Sequence, residues 1–122
     1  MNITNRVYIF SVFQSNKTKE LNQANHESIL ERLGGTEVVG KYNGQDELSI
    51  LWLGDNNLDR EVQEICSRHS QECYMVVYYD NAAELVYPDG TRKVIGYLKE
   101  YHGDISKISS YTEVDGKYYA VA

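Results

Sequence analysis

The sequence predicts a single α+β domain with the ferredoxin-like fold, and two observations support this. Stretches with strand and helix patterns follow the order strand, helix, strand, strand, helix, strand, with a further hairpin after them. The 122 residues contain one proline and no Gly/Ser-rich linker, so residues 1–122 are expected to form one domain. Right-handed crossovers would place both helices on one face of an antiparallel sheet.

Each element is bounded by turn or capping residues. The elements are a strand at 6–13, a helix ending at Leu33, strands at 37–42 and 47–53, a helix at 58–69, and strands at 73–79, 83–87 and 93–98. Gly34-Gly35 ends the first helix, and Asn43-Gly44 is a strong hairpin signal. The segment Gly54–Asn57 opens the second helix, and a last hairpin is expected around Asp115-Gly116.

One face of the predicted sheet has no layer to cover it, because both helices lie on the other face. Eleven tyrosines among 122 residues suit strand faces and subunit interfaces, since the ring is apolar and the hydroxyl is polar. We therefore expect further copies of the chain to cover the open face.

Charge and composition argue against several classes of protein. A net charge of −6 argues against general nucleic-acid binding, which needs a basic face. Cys66 and Cys73 predict free thiols, and their spacing matches no metal motif. The polar start Met1–Arg6 predicts no signal peptide, and no apolar run is long enough to cross a bilayer. We expect a cytoplasmic protein.

Three places in the sequence are candidate sites, and each has a simpler structural explanation. The loop residues Gln14, Ser15 and Asn16 lie between a strand and a helix N-terminus, where free N–H groups bind ligands or are capped. The hairpin from Tyr42 to Glu47 offers a phenol and two carboxylates to a ligand. Its simpler explanation is a solvated turn. Glu84 lies within a strand and is otherwise a surface acid. None of these patterns identifies a reaction.

Several segments, taken in order, resemble one family. They are Val7–Asn16, the pair Cys66 and Cys73, Tyr74–Tyr78, Leu85–Tyr87 and Tyr111–Val121. Together they resemble the bacteriophage S-adenosylmethionine (SAM) cleaving enzymes, formerly called SAM hydrolases and now regarded as SAM lyases. The resemblance implies a ferredoxin-like trimer of the kind formed by nitrogen-regulatory PII proteins, with active sites between subunits and no cofactor. It implies conversion of SAM to 5′-methylthioadenosine and L-homoserine lactone, which deprives host restriction–modification enzymes of SAM.

The resemblance also implies roles for particular residues. The family's key tyrosine and glutamate match Tyr42 and Glu47, with Asp46 as the alternative acid because the connection is shorter here. The acid that contacts the ribose matches Glu84, with Asp80 as the alternative. The loop after the first strand would then contact the adenosine.

The implied chemistry explains why no catalytic motif is needed. SAM carries its own nucleophile, a carboxylate, and its own leaving group, a sulfonium, so the enzyme must mainly position them. Two other functions remain open: a PII-like sensor that binds an adenine nucleotide without turnover, and an acidic mimic of DNA. The mimic is disfavoured because twelve lysines and arginines are interspersed among the acids.

Overall fold

The computed structural model describes residues 6–42, 44–54 and 58–122, which contain a closed barrel of eight antiparallel strands. The strands are β1 Arg6–Phe10, β2 Thr36–Tyr42, β3 Gln45–Gly54, β4 Tyr74–Tyr78, β5 Ala82–Val86, β6 Arg92–Glu100, β7 Tyr111–Val114 and β8 Lys117–Val121. The helices are α1 Lys19–Leu33 and α2 Asp59–Arg68, with a short 3-10 helix at Ile105–Lys107. Around the barrel the order is β1, β3, β2, β7, β8, β6, β5, β4 and back to β1.

The predicted ferredoxin-like fold is wrong, because the sheet closes into a barrel. The predicted sequence of elements is present, including a final hairpin, β7–β8, at Asp115-Gly116. That hairpin pairs on both sides, with β2 through β7 and with β6 through β8. Each outer strand of the predicted sheet therefore gains a neighbour from its own chain, and closure removes the exposed edges.

The barrel wall has two covered faces, because alternate side chains of a strand point to opposite sides. The outer side packs against α1 and α2; its members include Tyr8, Phe10, Ile29, Ile50, Val62 and Ile65. The inner side forms a second core; its members include Val7, Ile9, Leu51, Val77, Leu98 and Tyr119. The face that we expected other subunits to cover is thus the barrel interior, and β5 to β8 cover it. That reason for expecting an oligomer is wrong.

The helix α1 has a capping residue at each end, and it ends where its sequence predicts. The Thr18 hydroxyl caps the N-terminus by accepting from the Leu21 N–H at 3.1 Å. Gly34 adopts the left-handed conformation at the C-terminus, with φ of 69°. Two polar side chains, Asn22 and His26, are buried on the face that packs against the barrel. His26 Nε2 donates to Glu37 Oε2 at 3.0 Å, which ties α1 to β2.

The hairpin β2–β3 sets the register that positions the candidate site. Tyr42 pairs with Gln45, and Gly40 pairs with Glu47. Gly44 has φ of 80°, a conformation that glycine adopts without strain, and its N–H donates to Ser109 O at 2.9 Å. The predicted turn residue Asn43 lies outside the described residues, as do residues 55–57 of the segment predicted to open α2.

Both cysteines are free thiols, as predicted. Cys66 is buried among the residues of the outer core. In the part of the chain that the structure describes, no helix has the length and apolar character needed to span a membrane.

Candidate functional site

The barrel interior opens into a cavity of about 930 Å³. The cavity lies at the end of the barrel where β1 and β2 finish and where β3, β4 and β6 begin. Small-molecule sites typically have volumes of roughly 300–1,000 Å³, and eight-stranded barrels have room for one small ligand. The cavity therefore has the size of a binding site for one small molecule.

Tyr42 and Glu47 both line this cavity. They lie on neighbouring strands near the hairpin tip, and Glu47 pairs with Gly40. Gly40 has no side chain to occupy the space, and a Cβ there would lie 2.5 Å from the Tyr111 carbonyl oxygen. The close approach of β7 to β2 at this point therefore requires glycine.

Asp46, the alternative acid, has a different position. It is exposed, it pairs with Lys41, and it is not among the residues that line the cavity. Adjacent residues in a strand point to opposite faces, so Asp46 and Glu47 do not face the cavity together. Of the two acids, Glu47 is the one that the structure places beside Tyr42 in the cavity wall.

The Glu47 carboxyl group is in an environment that disfavours its charge. Burial raises the pKa of Glu47, and a hydrogen bond from the Ser49 hydroxyl lowers it in part. None of the ion pairs between described residues includes Glu47. A partly desolvated carboxylate without a cationic partner is stabilised by a cation that enters the cavity.

The Tyr42 phenol is protonated at neutral pH and is available as a hydrogen-bond donor. Burial is the largest cause of its raised pKa, followed by the proximity of Cys73, Glu72, Tyr87 and Glu47. Its side chain remains 40% exposed, so a ligand can reach it from the cavity mouth.

Sequence reasoning missed two of these neighbours as site residues. Glu72 and Cys73 line the cavity just before β4, although they are about thirty residues from Tyr42 in the chain. Burial raises the pKa of the Cys73 thiol, as do the Glu72 and Glu47 carboxylates. No local sequence pattern predicts that Glu72 and Cys73 lie near Tyr42, because their proximity depends on the pairing of β4 with β1.

The loop Gln14–Asn16 lies away from the cavity lining. The backbone groups of Gln14 are already bonded to the Asn22 side chain: the N–H donates to Oδ1, and the carbonyl accepts from Nδ2, both at 2.9 Å. Ser15 and Asn16 are exposed. In this conformation the loop offers a ligand its polar side chains, while the Gln14 backbone is engaged.

Glu84 lies on the outer face of the wall, since its neighbours Ala83 and Leu85 face inward. It accepts a hydrogen bond from the Tyr78 hydroxyl and lies 3.5 Å from Arg92 Nη1. Glu84 belongs to what we term the outer cluster, which consists of Arg6, Tyr8, Asp59, Tyr78, Glu84 and Arg92.

The outer cluster joins the first turn of α2 to four strands, β1, β4, β5 and β6. Asp59 accepts from Arg6 at 3.0 Å, from Arg92 at 3.1 Å and from the Tyr8 hydroxyl. Asp80, the alternative to Glu84, is exposed and accepts from the Ala82 N–H at 3.0 Å within a turn. Neither Glu84 nor Asp80 lines the cavity that holds Tyr42 and Glu47.

Within the described ranges, no group of three or more His, Cys, Asp or Glu side chains is arranged to hold a metal ion. The candidate site therefore consists of a phenol, a desolvated carboxylate, a second acid and a thiol at the mouth of a partly apolar barrel.

The model of the S-Adenosylmethionine lyase family matches residues 8–122, nearly the whole chain. No curated protein matches significantly. The matched range contains all the residues of the cavity and all the helices and strands except the first two residues of β1. The chain therefore belongs to the S-adenosylmethionine lyase family.

Proposed function

We propose that this protein cleaves SAM inside the barrel cavity, forming 5′-methylthioadenosine and L-homoserine lactone. The observation that carries the proposal is the position of Glu47, a desolvated carboxylate without an ion-pair partner among the described residues, beside Tyr42 in a cavity of ligand size. SAM carries two cationic centres, an α-ammonium and a sulfonium, so it supplies the positive charge that this wall favours.

The reaction needs no proton transfer. A carboxylate oxygen of the substrate attacks its own γ-carbon and forms a C–O bond, which closes a five-membered lactone. The C–S bond breaks, its electron pair stays on sulfur, and the sulfonium leaves as a neutral thioether. Neither a general acid nor a general base is required, so the contribution of the protein is to position the reacting atoms.

Positioning is the role that we assign to Glu47 and Tyr42. The Glu47 carboxylate accepts hydrogen bonds from the α-ammonium of the substrate, and the Tyr42 hydroxyl contacts the same end. This fixes the torsions of the methionyl chain so that carboxylate and γ-carbon meet. Orientation of this kind supplies at most about 7–11 kcal/mol in well-aligned intramolecular reactions.

The sulfonium, unlike the α-ammonium, should not be held by a carboxylate. Its positive charge disappears in the transition state, so a carboxylate held against it would stabilise the substrate more than the transition state. The cavity provides apolar surface for this group, with Ile9, Met75 and Leu98 in its wall. We therefore place the sulfur toward the apolar interior and the amino-acid end at the Glu47 side.

The contacts to the adenosine remain proposals. Gln14, Ser15, Asn16 and Glu84 lie outside the cavity lining, so they reach a substrate only if it extends along the outer wall or if a neighbouring subunit presents them. The homotrimer implied by the family resemblance would provide such a neighbour, and its mass is measurable by sedimentation equilibrium. Within one chain, Glu72 is the second acid in the cavity lining.

The biological role that we propose is depletion of SAM in the cytoplasm of an infected host. Restriction–modification enzymes use SAM as methyl donor and cofactor, and its removal counters them. This role follows from the proposed products and does not require a nucleic-acid or membrane partner.

Product analysis tests the proposed reaction. The protein is incubated with SAM in water enriched in heavy oxygen, and products are followed by mass spectrometry. Lyase chemistry predicts methylthioadenosine together with unlabelled lactone at early times. Labelled homoserine formed directly would show hydrolysis instead, and binding of SAM without turnover would favour the nucleotide-sensor function.

A further inference from the structure

Two opposite strands of the barrel contribute one acid and one base to the cavity lining. In the circular strand order, β3 and β6 are four positions apart in either direction, so they face each other across the interior. Glu47 lies near the start of β3, and Lys93 lies near the start of β6. Both strands start at the end of the barrel where the cavity opens, and both side chains line that cavity.

The register explains why Lys93 faces the cavity. Leu85 pairs with Met75 on one side and with Lys93 on the other, so the three residues form one row across β4, β5 and β6. Met75 and Leu85 also line the cavity, whereas Arg92, the residue before Lys93, belongs to the outer cluster.

The ammonium group of Lys93 has no salt bridge to any acid in the described parts of the chain, in contrast to the guanidinium of Arg92. Arg92 contacts both Asp59 and Glu84 in the outer cluster. Lys93 is therefore a cation on the inner wall that is available to an anionic group of a ligand. Glu47 is likewise available to a cationic group of a ligand.

We propose that Lys93 is a substrate-binding residue that holds the carboxylate of a zwitterionic α-amino acid group, while Glu47 on the opposite wall holds its ammonium. This inference rests on the proposed function, because it names the part of SAM that each wall binds. The two charges align the amino-acid end across the barrel and distinguish SAM from adenosine derivatives that lack a carboxylate.

Such a contact affects binding more than chemistry. The substrate carboxylate loses its negative charge as it closes the lactone, so the Lys93 ammonium stabilises the bound substrate more than the transition state. Lys93 is exposed, and an exposed ion pair is weak, so the contact orients the carboxylate without strongly reducing its nucleophilicity. Its loss is expected to raise KM and to leave kcat unchanged or higher.

The test compares two ligands and two variants by isothermal titration calorimetry. Sinefungin keeps the α-ammonium and carboxylate of SAM and is not cleaved, whereas decarboxylated SAM lacks the carboxylate. Lys93→Gln should weaken sinefungin binding by about 2- to 5-fold and leave binding of decarboxylated SAM unchanged. The matched control is Lys99→Gln on the same strand, whose ammonium lies over the Tyr97 ring, 6.0 Å from its centroid. The control should change neither affinity.

The possible outcomes separate the inference from the function on which it rests. Equal losses for both ligands, or no loss for sinefungin, would overturn the role of Lys93 even if the wild-type protein cleaves SAM. A wild-type protein that neither binds sinefungin nor cleaves SAM would overturn the proposed function as well. Thermal melting of Lys93→Gln at the wild-type temperature would show that any effect is local.

Discussion

Glu47 and Glu84 are both strand acids, and they lie on opposite faces of the same barrel wall. Glu84 faces outward, where the Tyr78 hydroxyl and Arg92 satisfy it. Glu47 faces the cavity, where burial raises its pKa and no lysine or arginine among the described residues pairs with it. The difference indicates which acid serves the fold and which is available to a cationic ligand.

The two faces also differ in how their charges are used. In the outer cluster, Asp59 accepts hydrogen bonds from two arginines and a tyrosine. The negative charge of Asp59 is therefore compensated within the chain. On the inner wall, Glu47 and Lys93 lie on opposite strands and neither forms an ion pair with a described residue. Uncompensated charges of both signs around one cavity are what a zwitterionic ligand requires.

The largest effect is expected for Glu47→Gln, which removes the charge and keeps the shape. We expect kcat/KM for SAM to fall by about 100-fold or more, because a misplaced substrate loses this much in a reaction that depends on orientation. The matched control is Asp46→Asn, which changes an exposed acid at the neighbouring position. Steady-state assays give kcat/KM for both variants. A larger loss for Asp46→Asn than for Glu47→Gln would show that Glu47 is not the acid that positions the substrate.

A smaller loss is expected for Tyr42→Phe. The phenylalanine keeps the ring and removes only the hydroxyl, which is protonated at neutral pH and whose pKa is raised further by burial. Loss of one hydrogen bond to a charged group should lower kcat/KM by about 10- to 100-fold. Initial rates measured over a range of SAM concentrations check this. Unchanged rates would show that the Tyr42 hydroxyl does not contact the substrate.

Glu84→Gln should affect stability and leave turnover nearly intact. The side chain is mostly buried and bonded within the outer cluster, so its loss should cost about 1 kcal/mol in the free energy of unfolding. Urea denaturation and SAM turnover are measured on the same preparation. Lost turnover at full stability would instead support the predicted substrate contact of Glu84, made from the outer face.

The smallest effect is expected for Cys73→Ser, although Cys73 lines the cavity beside Tyr42. Burial and the nearby acids raise the pKa of the thiol, so it is protonated at neutral pH and is a poor nucleophile. Activity should stay within about twofold of the wild type, since no step of the proposed reaction uses the thiol. A large loss in a correctly folded variant would show that this side chain has a chemical role.

The sequence was sufficient to predict the elements but not the closure of the sheet. The two helices and the hairpin at Asp115-Gly116 have strong local signals, and the structure contains them. Closure depends on pairs that are distant in sequence, such as Gly40 with Thr112 and Leu98 with Val121, which local patterns do not specify. The ferredoxin-like prediction failed for that reason.

The candidate site was predictable to a similar degree. Tyr42 and Glu47 lie in one hairpin, so the sequence itself places them close together. Glu72, Cys73 and Lys93 join them only through barrel closure. The outward direction of Glu84 depends on the register of β5 against β4, in which Glu84 pairs with Val76. A shift of one residue exchanges the two faces of a strand.

The position at which a ligand binds decides whether the barrel cavity is the active site. Backbone amide resonances are followed by NMR while sinefungin is titrated into the wild-type protein. We predict that the largest shifts occur on the inner wall, at Glu47, Ser49 and Cys73, and that the amides of Tyr78 and Glu84 move least. Shifts concentrated around Tyr78 and Glu84, with the inner wall unchanged, would contradict the proposal that the substrate binds in the barrel cavity.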